Sequence, residues 1–137
     1  MGAFLGISNC FNVAILNGGF NLPVALENRD FDPRLGDPYL AAFLLPASVI
    51  QSTLGLNGCE TTSGIYQIDI NYPAEKGVTD LLSKADEVNA VFYNGAALTL
   101  NAFTVNLKNV SRSRVIVAGG FASVSLFIEF YSINSRI

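Results

Sequence analysis

The sequence predicts an α+β domain in which two helices pack on one face of a mainly antiparallel, twisted sheet. Two observations lead to this prediction. Residues 63–92 change from a two-residue to a helical hydrophobic period across a single turn, and residues 122–131 alternate again with the period of a strand. A chain of 137 residues has the length of one domain with one core, so we expect a single domain spanning residues 1–137.

The first part of the chain is predicted to form one helix and two strands. Residues 4–16 carry apolar side chains at helical spacing, and Asn17-Gly18-Gly19 follows as a stop signal. Residues 24–26 are short and β-prone. Residues 39–45 are almost all apolar, which predicts a strand buried on both faces and ended by Pro46. The apolar face of the predicted helix consists of Phe4, Ile7, Phe11, Ala14 and Ile15.

Two segments without a regular hydrophobic period are predicted to be extended arms. Residues 29–37 combine proline, glycine and alternating charges, which favours an irregular loop. Residues 47–62 scatter isolated apolar residues among Ser, Thr, Gly and Asn, which favours a mobile arm. Its apolar residues either fold back on the monomer or cross to a neighbouring subunit, where burial contributes about 25 cal/mol per square ångström. The candidate contacts on the two arms are Arg29, Asp30, Asp32, Arg34, Val49, Ile50, Leu54 and Leu56.

A strand that leads into a helix forms the predicted centre of the domain. Along residues 66–72 the odd positions Gln67, Asp69 and Asn71 are polar, while the even positions are apolar or aromatic. The helix follows the turn after this strand, and its apolar stripe suits packing on the sheet. The two apolar sets are Tyr66, Ile68, Ile70 and Tyr72 on the strand, and Val78, Leu81, Leu82, Ala85, Val88 and Phe92 on the helix.

The carboxy-terminal part is predicted to complete the sheet. A turn at residues 93–95 precedes one long or two short strands over residues 98–107, with a hairpin or bulge around Asn101. Residues 108–120 then connect to the last strand. Its even positions are apolar, while the odd positions include Phe121, Phe127 and Tyr131 among polar residues. We therefore expect something to cover the second side of this sheet as well.

The residue types of the chain argue against catalysis and against a bound metal or cofactor. Histidine, the commonest general base and metal ligand at neutral pH, does not occur in the sequence. Asp69, Glu75 and Asp80 are candidates for paired carboxylates, but Asp69 lies on the polar side of a predicted strand and Asp80 suits the first turn of a helix. The alternating acids of residues 30–37 are interleaved with arginines, which would repel a cation. We expect Cys10 and Cys59 to be structural thiols.

Charge and hydropathy limit the classes of partner. The formal net charge is −3, which disfavours a surface for gripping nucleic acid. Arg112 and Arg114 form a local basic cluster that contacts either phosphate or a carboxylate of a neighbour, or lies on a solvated loop. Only 14% of residues are charged, against about a quarter in typical domains, which favours apolar surface covered by partners over a larger core. The sequence lacks a run long enough to span a membrane and an export signal, so we expect the protein to act where it is made.

The central unit resembles the tail terminator proteins of long-tailed phages. The resemblance is carried by an alternating strand ending in Tyr-Pro-Ala, then Glu-Lys-Gly, then an amphipathic helix ending in an aromatic residue. Upstream, ALENRDFDPRLGDPYLAAFLLPAS resembles the family's Asn-x-x-Phe-x-Pro and acidic Pro-Tyr-Leu run. Downstream, a Leu-Thr-Leu strand and a long final strand complete the order. The resemblance covers roughly residues 24–133.

This resemblance implies a structural assembly protein. Tail terminators form a ring, typically hexameric, that caps the tail tube, stops addition of tube subunits and presents a docking surface for the head. The implied partners are copies of the same chain, the tail tube protein and a head-completion or connector protein, in the tail-neck region of a virion assembled in the host cytoplasm. DNA would pass the lumen without specific binding, and Glu75 and Asp80 are candidates to face it. Beyond the arms, the candidate interface residues are Arg112, Arg114, Phe127 and Tyr131.

Three alternatives remain open at this point. A monomeric or dimeric module could bind a ligand or peptide against the face that carries Phe121, Phe127 and Tyr131. The chain could also be a head–tail connector component other than the terminator. An enzyme would have to work with carboxylates or lysine alone.

Overall fold

The computed structural model describes residues 3–26, 37–45, 48–51, 59–74, 78–100 and 103–135. The elements follow the chain in the order α1 (Ala3–Leu16), β1 (Val24–Leu26), β2 (Tyr39–Leu44), β3 (Ser48–Gln51), β4 (Cys59–Pro73), α2 (Thr79–Val91), β5 (Ala97–Leu100), β6 (Phe103–Arg112), β7 (Ile116–Ala118) and β8 (Phe121–Ser135).

The eight described strands form one mixed sheet with the order β1-β2-β4-β8-β6-β5. β3 pairs with β4 beyond the end of β2, and β7 pairs with β8 beyond the end of β6. β1 and β2 run parallel, and the other described pairs are antiparallel. The fold is therefore α+β with a mostly antiparallel sheet, as the sequence predicts.

The long central pair of strands gives the sheet its buried face. β4 and β8 pair over residues 59–73 and 121–135, and their central parts alternate between a buried face and a face that is more exposed. Apolar side chains recur at every second residue over 66–70 and 122–130, so one face is removed from water there, while the paired residues Thr62 and Ser132 make it polar toward one end. The buried apolar residues of this face are Tyr66, Ile68, Ile70, Ala122, Val124, Leu126, Ile128 and Phe130.

Both helices pack on that buried face. α1 contacts β5, β6 and β8, and α2 contacts β4 and β8. Phe11 of α1 lies against Tyr66, Phe92 and Phe130, with ring centroids 4.2, 6.2 and 5.2 Å away. The helices thus close one core, and the opposite face of the sheet, here called the outer face, lies away from them. Their buried residues are Ile7, Cys10, Phe11 and Ile15 in α1 and Leu81, Ala85 and Val88 in α2.

Two residues predicted to lie on apolar helix faces are exposed. Phe4, in the first turn of α1, is 56% exposed, and Val78, the N-cap residue before α2, is 48% exposed, because both lie at the ends of their helices. The prediction that residues 39–45 are buried on both faces is also wrong. In β2, Leu40 and Ala42 are buried, whereas the alternate residues are half-buried, since they lie on the outer face.

The prediction that residues 47–62 lack regular structure is wrong where the structure describes them. Residues 48–51 form β3, which pairs with residues 60–63 of β4, and those residues pair on their other side with residues 131–134 of β8. The segment therefore extends the sheet. Residues 108–120, predicted as a connection, instead contain the end of β6 and all of β7. The hairpin predicted around Asn101 is confirmed by the pairing of β5 with β6, although residues 101–102 lie outside the described residues.

Candidate interaction surfaces

The centre of the outer face is a polar network around Asp69. The Asp69 Oδ1 atom accepts hydrogen bonds from Gln67 Nε2 at 2.7 Å and from Ser125 Oγ at 2.6 Å. Asp69 and Ser125 are register partners on β4 and β8, so the sheet itself places them together. The carboxylate that the sequence offered as half of a catalytic pair is thus a partner of neutral side chains on the same face.

One end of the outer face is closed by its own side chains. Ser123 Oγ donates to Asn71 Oδ1, and Asn71 Nδ2 lies 3.5 Å from the carbonyl oxygen of Tyr39. Phe121 packs edge-on against the Tyr39 ring, with centroids 5.3 Å apart. These contacts leave Asn71 only 8% exposed. Phe121 is therefore engaged within the monomer.

The other end of the outer face carries two of the predicted interface residues. Phe127 and Tyr131 are half-buried on β8, and exposed Glu129 lies between them on the same face. Phe127 pairs in register with Gln67, and Tyr131 pairs with Ser63. Since the helices lie on the opposite face, this aromatic end forms one accessible apolar surface.

A hairpin made by β7 and the start of β8 presents a second apolar surface. Ile116 is 49% exposed and Val117 is 67% exposed. Gly119 and Gly120, with φ of +60° and +83°, form the two-residue turn between the strands. Positive φ at both central positions is the requirement of a tight hairpin turn, which glycine meets without strain.

The start of this hairpin is anchored by Ser113. The Ser113 N–H donates to the Ser125 carbonyl at 2.9 Å, and the Ser113 Oγ atom accepts from the Ser125 N–H at 3.0 Å. The same hydroxyl donates to the Arg114 carbonyl at 2.8 Å. At the turn, the Ala74 N–H donates to the Gly120 carbonyl at 3.0 Å. The hairpin is therefore held at both ends.

The basic cluster, Arg112 and Arg114, lies beside this hairpin, but its two side chains lie in different environments. Arg112 is exposed at the end of β6 and is the register partner of Leu126, which places it on the helix side of the sheet. There it lines an open cleft of about 200 Å³ between α2 and β6, together with Asp86 and Asn89. Arg114 is exposed in the connection between β6 and β7. Arg112 and Phe127 thus belong to opposite faces of the sheet.

A third apolar surface lies on the outside of α1. The helix contains no Asp, Glu, Lys or Arg between Ala3 and Leu16. Its exposed apolar side chains are Phe4, Leu5, Val13 and Leu16. A surface helix normally carries charge on the side that faces water, so an uncharged outer side is typical of an interaction surface.

The remaining predicted site residues divide into three groups. Asp80 is exposed in the first turn of α2, where its negative charge suits the helix dipole. Val49 and Ile50 lie in β3, in register with Thr62 and Thr61. The others lie outside the described residues, namely Arg29, Asp30, Asp32, Arg34, Leu54, Leu56 and Glu75.

The sequence prediction missed the exposed strand β7 and the uncharged outer side of α1. Both have sequence signals. Gly119-Gly120 between two apolar segments is a hairpin signature, and the absence of charge from residues 3–16 can be read directly. The short length of β7 hid the first signal, because three residues are too few to show a period.

Within the described residues, the structure offers no site for metal chemistry. They contain no group of three or more His, Cys, Asp or Glu side chains that could hold an ion. Cys10 is buried, with its Sγ atom 3.6 Å from the Phe103 carbonyl oxygen, and burial raises the pKa of its thiol. None of the described helices is long and apolar enough to cross a membrane.

Comparison with known proteins identifies the family. No curated protein matches the sequence. A solved structure aligns with a TM-score of 0.73 at 20% identity, over 98% of this chain and 97% of the matched chain, which shows a shared fold. A family model described as phage tail terminator protein matches residues 12–126. The chain therefore belongs to the phage tail terminator family, a non-enzymatic family of structural proteins that associate with the tail tube in the virion tail.

Proposed function

We propose that this protein forms a ring, expected to be hexameric, that caps the tail tube, ends tube polymerisation and provides the surface to which the head joins. The observation that carries the proposal is the presence of separate apolar surfaces on different elements of one small domain. The outer side of α1 and the β7 hairpin are both exposed and apolar. A closed head-to-tail ring requires two different patches on each subunit, one for each neighbour.

The mechanism of termination is geometric. Tube subunits add to an end that offers them a matching surface, and a ring seated on that end removes it. The ring needs no turnover, which agrees with the non-enzymatic family and with the structural role of Asp69. The aromatic end of the outer face, with Phe127 and Tyr131, is a candidate for contact with a tail or head partner.

The exposed side of α2 is the candidate lining of the channel. Asp80, Asp86 and Glu87 are exposed there, and Lys84 forms an ion pair with Glu87 at 2.7 Å. This side of the helix is therefore net negative, and a negative wall repels the phosphates of passing DNA instead of holding them. Glu75, which precedes α2 in the sequence, is a further candidate for the same lining.

Two chain segments and the basic cluster complete the proposed set of subunit contacts. Residues 29–37 and residues 47–62, which include β3, supply the first group of candidates, and Arg112 and Arg114 supply the second. Exposed arginines at a subunit boundary would pair with carboxylates of the neighbour, so assembly should weaken as salt is raised. A head-completion or connector protein is the proposed partner on the other side of the ring.

The test measures the mass of the assembled protein and its ability to cap tail tubes. Light scattering coupled to gel filtration should give a mass of about six chains, and negative-stain images should show rings. The protein is then added to polymerising tail tube subunits of its own phage, and tube lengths are measured. Shorter, capped tubes are expected in proportion to added protein. A clean monomer at high concentration, or tubes of unchanged length and bare ends, would contradict the proposal.

Peptide binding and head joining, measured on the same protein, separate the alternatives. A monomer that binds an extended peptide at Phe127 and Tyr131 would indicate a binding module. A ring that joins isolated heads but leaves tail tubes uncapped would indicate a connector component. The observation that favours a binding module is the pair of half-buried aromatic side chains, Phe127 and Tyr131.

A further inference from the structure

The backbone N–H and carbonyl groups of Val117 point away from the neighbouring strand β8. Ser113 exchanges hydrogen bonds with the Ser125 backbone, so the N–H and carbonyl of Ser125 face the side of β8 where β6 and β7 lie. Strand geometry repeats every two residues, so the backbone groups of Ser123 and Phe121 face the same side. These two residues pair with Ile116 and Ala118. Between them, Val117 belongs to the pair that does not exchange hydrogen bonds with β8, and its N–H and carbonyl point outward.

This outward edge is exposed and preformed. Val117 is 67% exposed and Ile116 is 49% exposed, and in the described part of the chain β7 pairs with β8 alone. Anchoring through Ser113 and the Gly119-Gly120 turn holds β7 in place before any partner arrives. A free edge with β-branched residues is a template for a further strand, and a preformed edge loses little conformational entropy on pairing.

The opposite end of the sheet carries a strand of equal length. β1 comprises Val24–Leu26, and in the described part of the chain it pairs with β2 alone. The Leu40 N–H donates to the Pro23 carbonyl at 2.9 Å, so the carbonyl of Pro23 faces β2 and the backbone groups of Val24 face outward. β3 and β5 are edge strands as well, and β7 and β1 are two edges that lie on opposite sides of β8 and β4 in one sheet.

The charges beside the two edges are complementary. Arg112 and Arg114, both exposed, lie before β7. Exposed Asp37 lies before β2, the strand that is paired with β1. Opposite charges at the two ends would steer a head-to-tail contact and disfavour a contact between two identical edges.

We propose that adjacent subunits are joined by strand addition, in which β7 of one copy pairs with β1 of the next and continues the sheet around the ring. This inference rests on the ring of the proposed function. The pairing uses the outward backbone groups of Val117 and Val24, and it buries the exposed side chains of Ile116 and Val117. In this arrangement β7 and β1 are the two patches of the head-to-tail assembly, and the outer side of α1 is not part of the strand contact.

The first experiment replaces Val117 by proline. Proline removes the outward N–H but no hydrogen bond within the subunit, so the monomer should stay folded by circular dichroism. Light scattering should show the ring dissociating at least about tenfold more readily, as a lost backbone hydrogen bond and a blocked strand predict. Val117→Thr keeps the N–H and the shape and should assemble as the parent does. A Val117→Pro ring of undiminished stability would overturn strand addition while leaving the ring itself established.

The second experiment crosslinks the proposed contact between β7 of one subunit and β1 of the next. In a Cys10→Ala/Cys59→Ser background, Val117→Cys and Val24→Cys are combined and treated with a short bismaleimide. A ladder of crosslinked species up to the full ring is expected, and either cysteine alone should give none. Dimers from Val117→Cys alone would indicate pairing of two β7 edges and would overturn the head-to-tail arrangement. A parent protein that never forms a ring would refute the proposed function, and strand addition with it.

Discussion

The Phe11 ring lies flat on the Tyr66 ring, with centroids 4.2 Å apart and planes 8° apart. This stack joins α1 to the central strand β4. The Tyr66 hydroxyl donates to Asn12 Oδ1 at 2.8 Å, so one helix supplies both the apolar and the polar partner of the tyrosine. Tyr66 is 1% exposed and Phe11 is fully buried, which makes the pair the centre of the helix–sheet contact.

Changes at Tyr66 and Phe11 should therefore separate the contribution of the ring stack from that of the hydroxyl hydrogen bond. Tyr66→Asp places an unpaired charge in the core and should give no folded protein. Tyr66→Phe keeps the stack and loses a hydrogen bond, so we expect a loss of about 1 kcal/mol in the free energy of unfolding, measured in urea. Phe11→Ala should lose about 3–5 kcal/mol. Soluble, folded Tyr66→Asp protein would show that the buried and outer faces of β4 are interchanged.

Lys84 should matter through the backbone contact more than through its ion pair. Its Nζ atom donates to the Phe20 carbonyl at 2.8 Å, while its partner Glu87 is 53% exposed. Lys84→Met leaves that carbonyl without its donor and should cost about 1–3 kcal/mol of unfolding free energy. Glu87→Gln should cost less than about 0.5 kcal/mol, because water screens an exposed pair. Equal losses in the two variants would show that the ion pair dominates.

The sequence predicts the elements whose hydrophobic period is long and also the short strand β1, but it misses two short strands that are defined by distant partners. α1, α2, β4 and β8 each span 13 residues or more, so a helical or alternating pattern is visible in them. β3 and β7 contain four and three residues, and each becomes a strand by pairing with a long strand elsewhere. Their period is too short to read, and the pairing that creates them is not local.

The placement of the candidate surface residues depends on a bulge that the sequence does not reveal. The register of β6 against β8 shifts between Leu107 and Asn109. One extra residue reverses which side of the sheet the following residues face, so Arg112 pairs with Leu126 and lies on the helix side. Arg112 and Phe127, both candidate interface residues, therefore lie on opposite faces of the sheet, and the sequence pattern alone does not indicate this.

The turn that presents β7 can be tested at Gly119. Its φ of +60° lies in the left-handed region, and a Cβ atom built there meets nothing within 4 Å. Backbone strain should therefore decide the outcome, and Gly119→Ala should lose about 1–2 kcal/mol of unfolding free energy. Gly119→Asn is the matched control and should lose less, because asparagine tolerates this conformation. An alanine variant as stable as the parent would mean that the turn adopts another conformation in solution.

The thiol of Cys10 should make stability fall in alkaline solution. Burial raises the pKa of this thiol, so the folded protein holds the proton more tightly than the unfolded chain does. The resulting stabilisation is complete below the unfolded pKa of about 8.5 and is lost as pH rises from there through the folded pKa. The free energy of unfolding should therefore decline more steeply above about pH 8.5 in a Cys59→Ser protein than in Cys10→Ala/Cys59→Ser. Parallel pH profiles for the two proteins would show that the Cys10 thiol titrates alike in both states.

Labelling of Cys10 in folded Cys59→Ser protein should also be slow and should accelerate in denaturant, because only opening of the core exposes the sulfur. The Cys59→Ser change itself should leave assembly intact, and light scattering of that protein checks this directly.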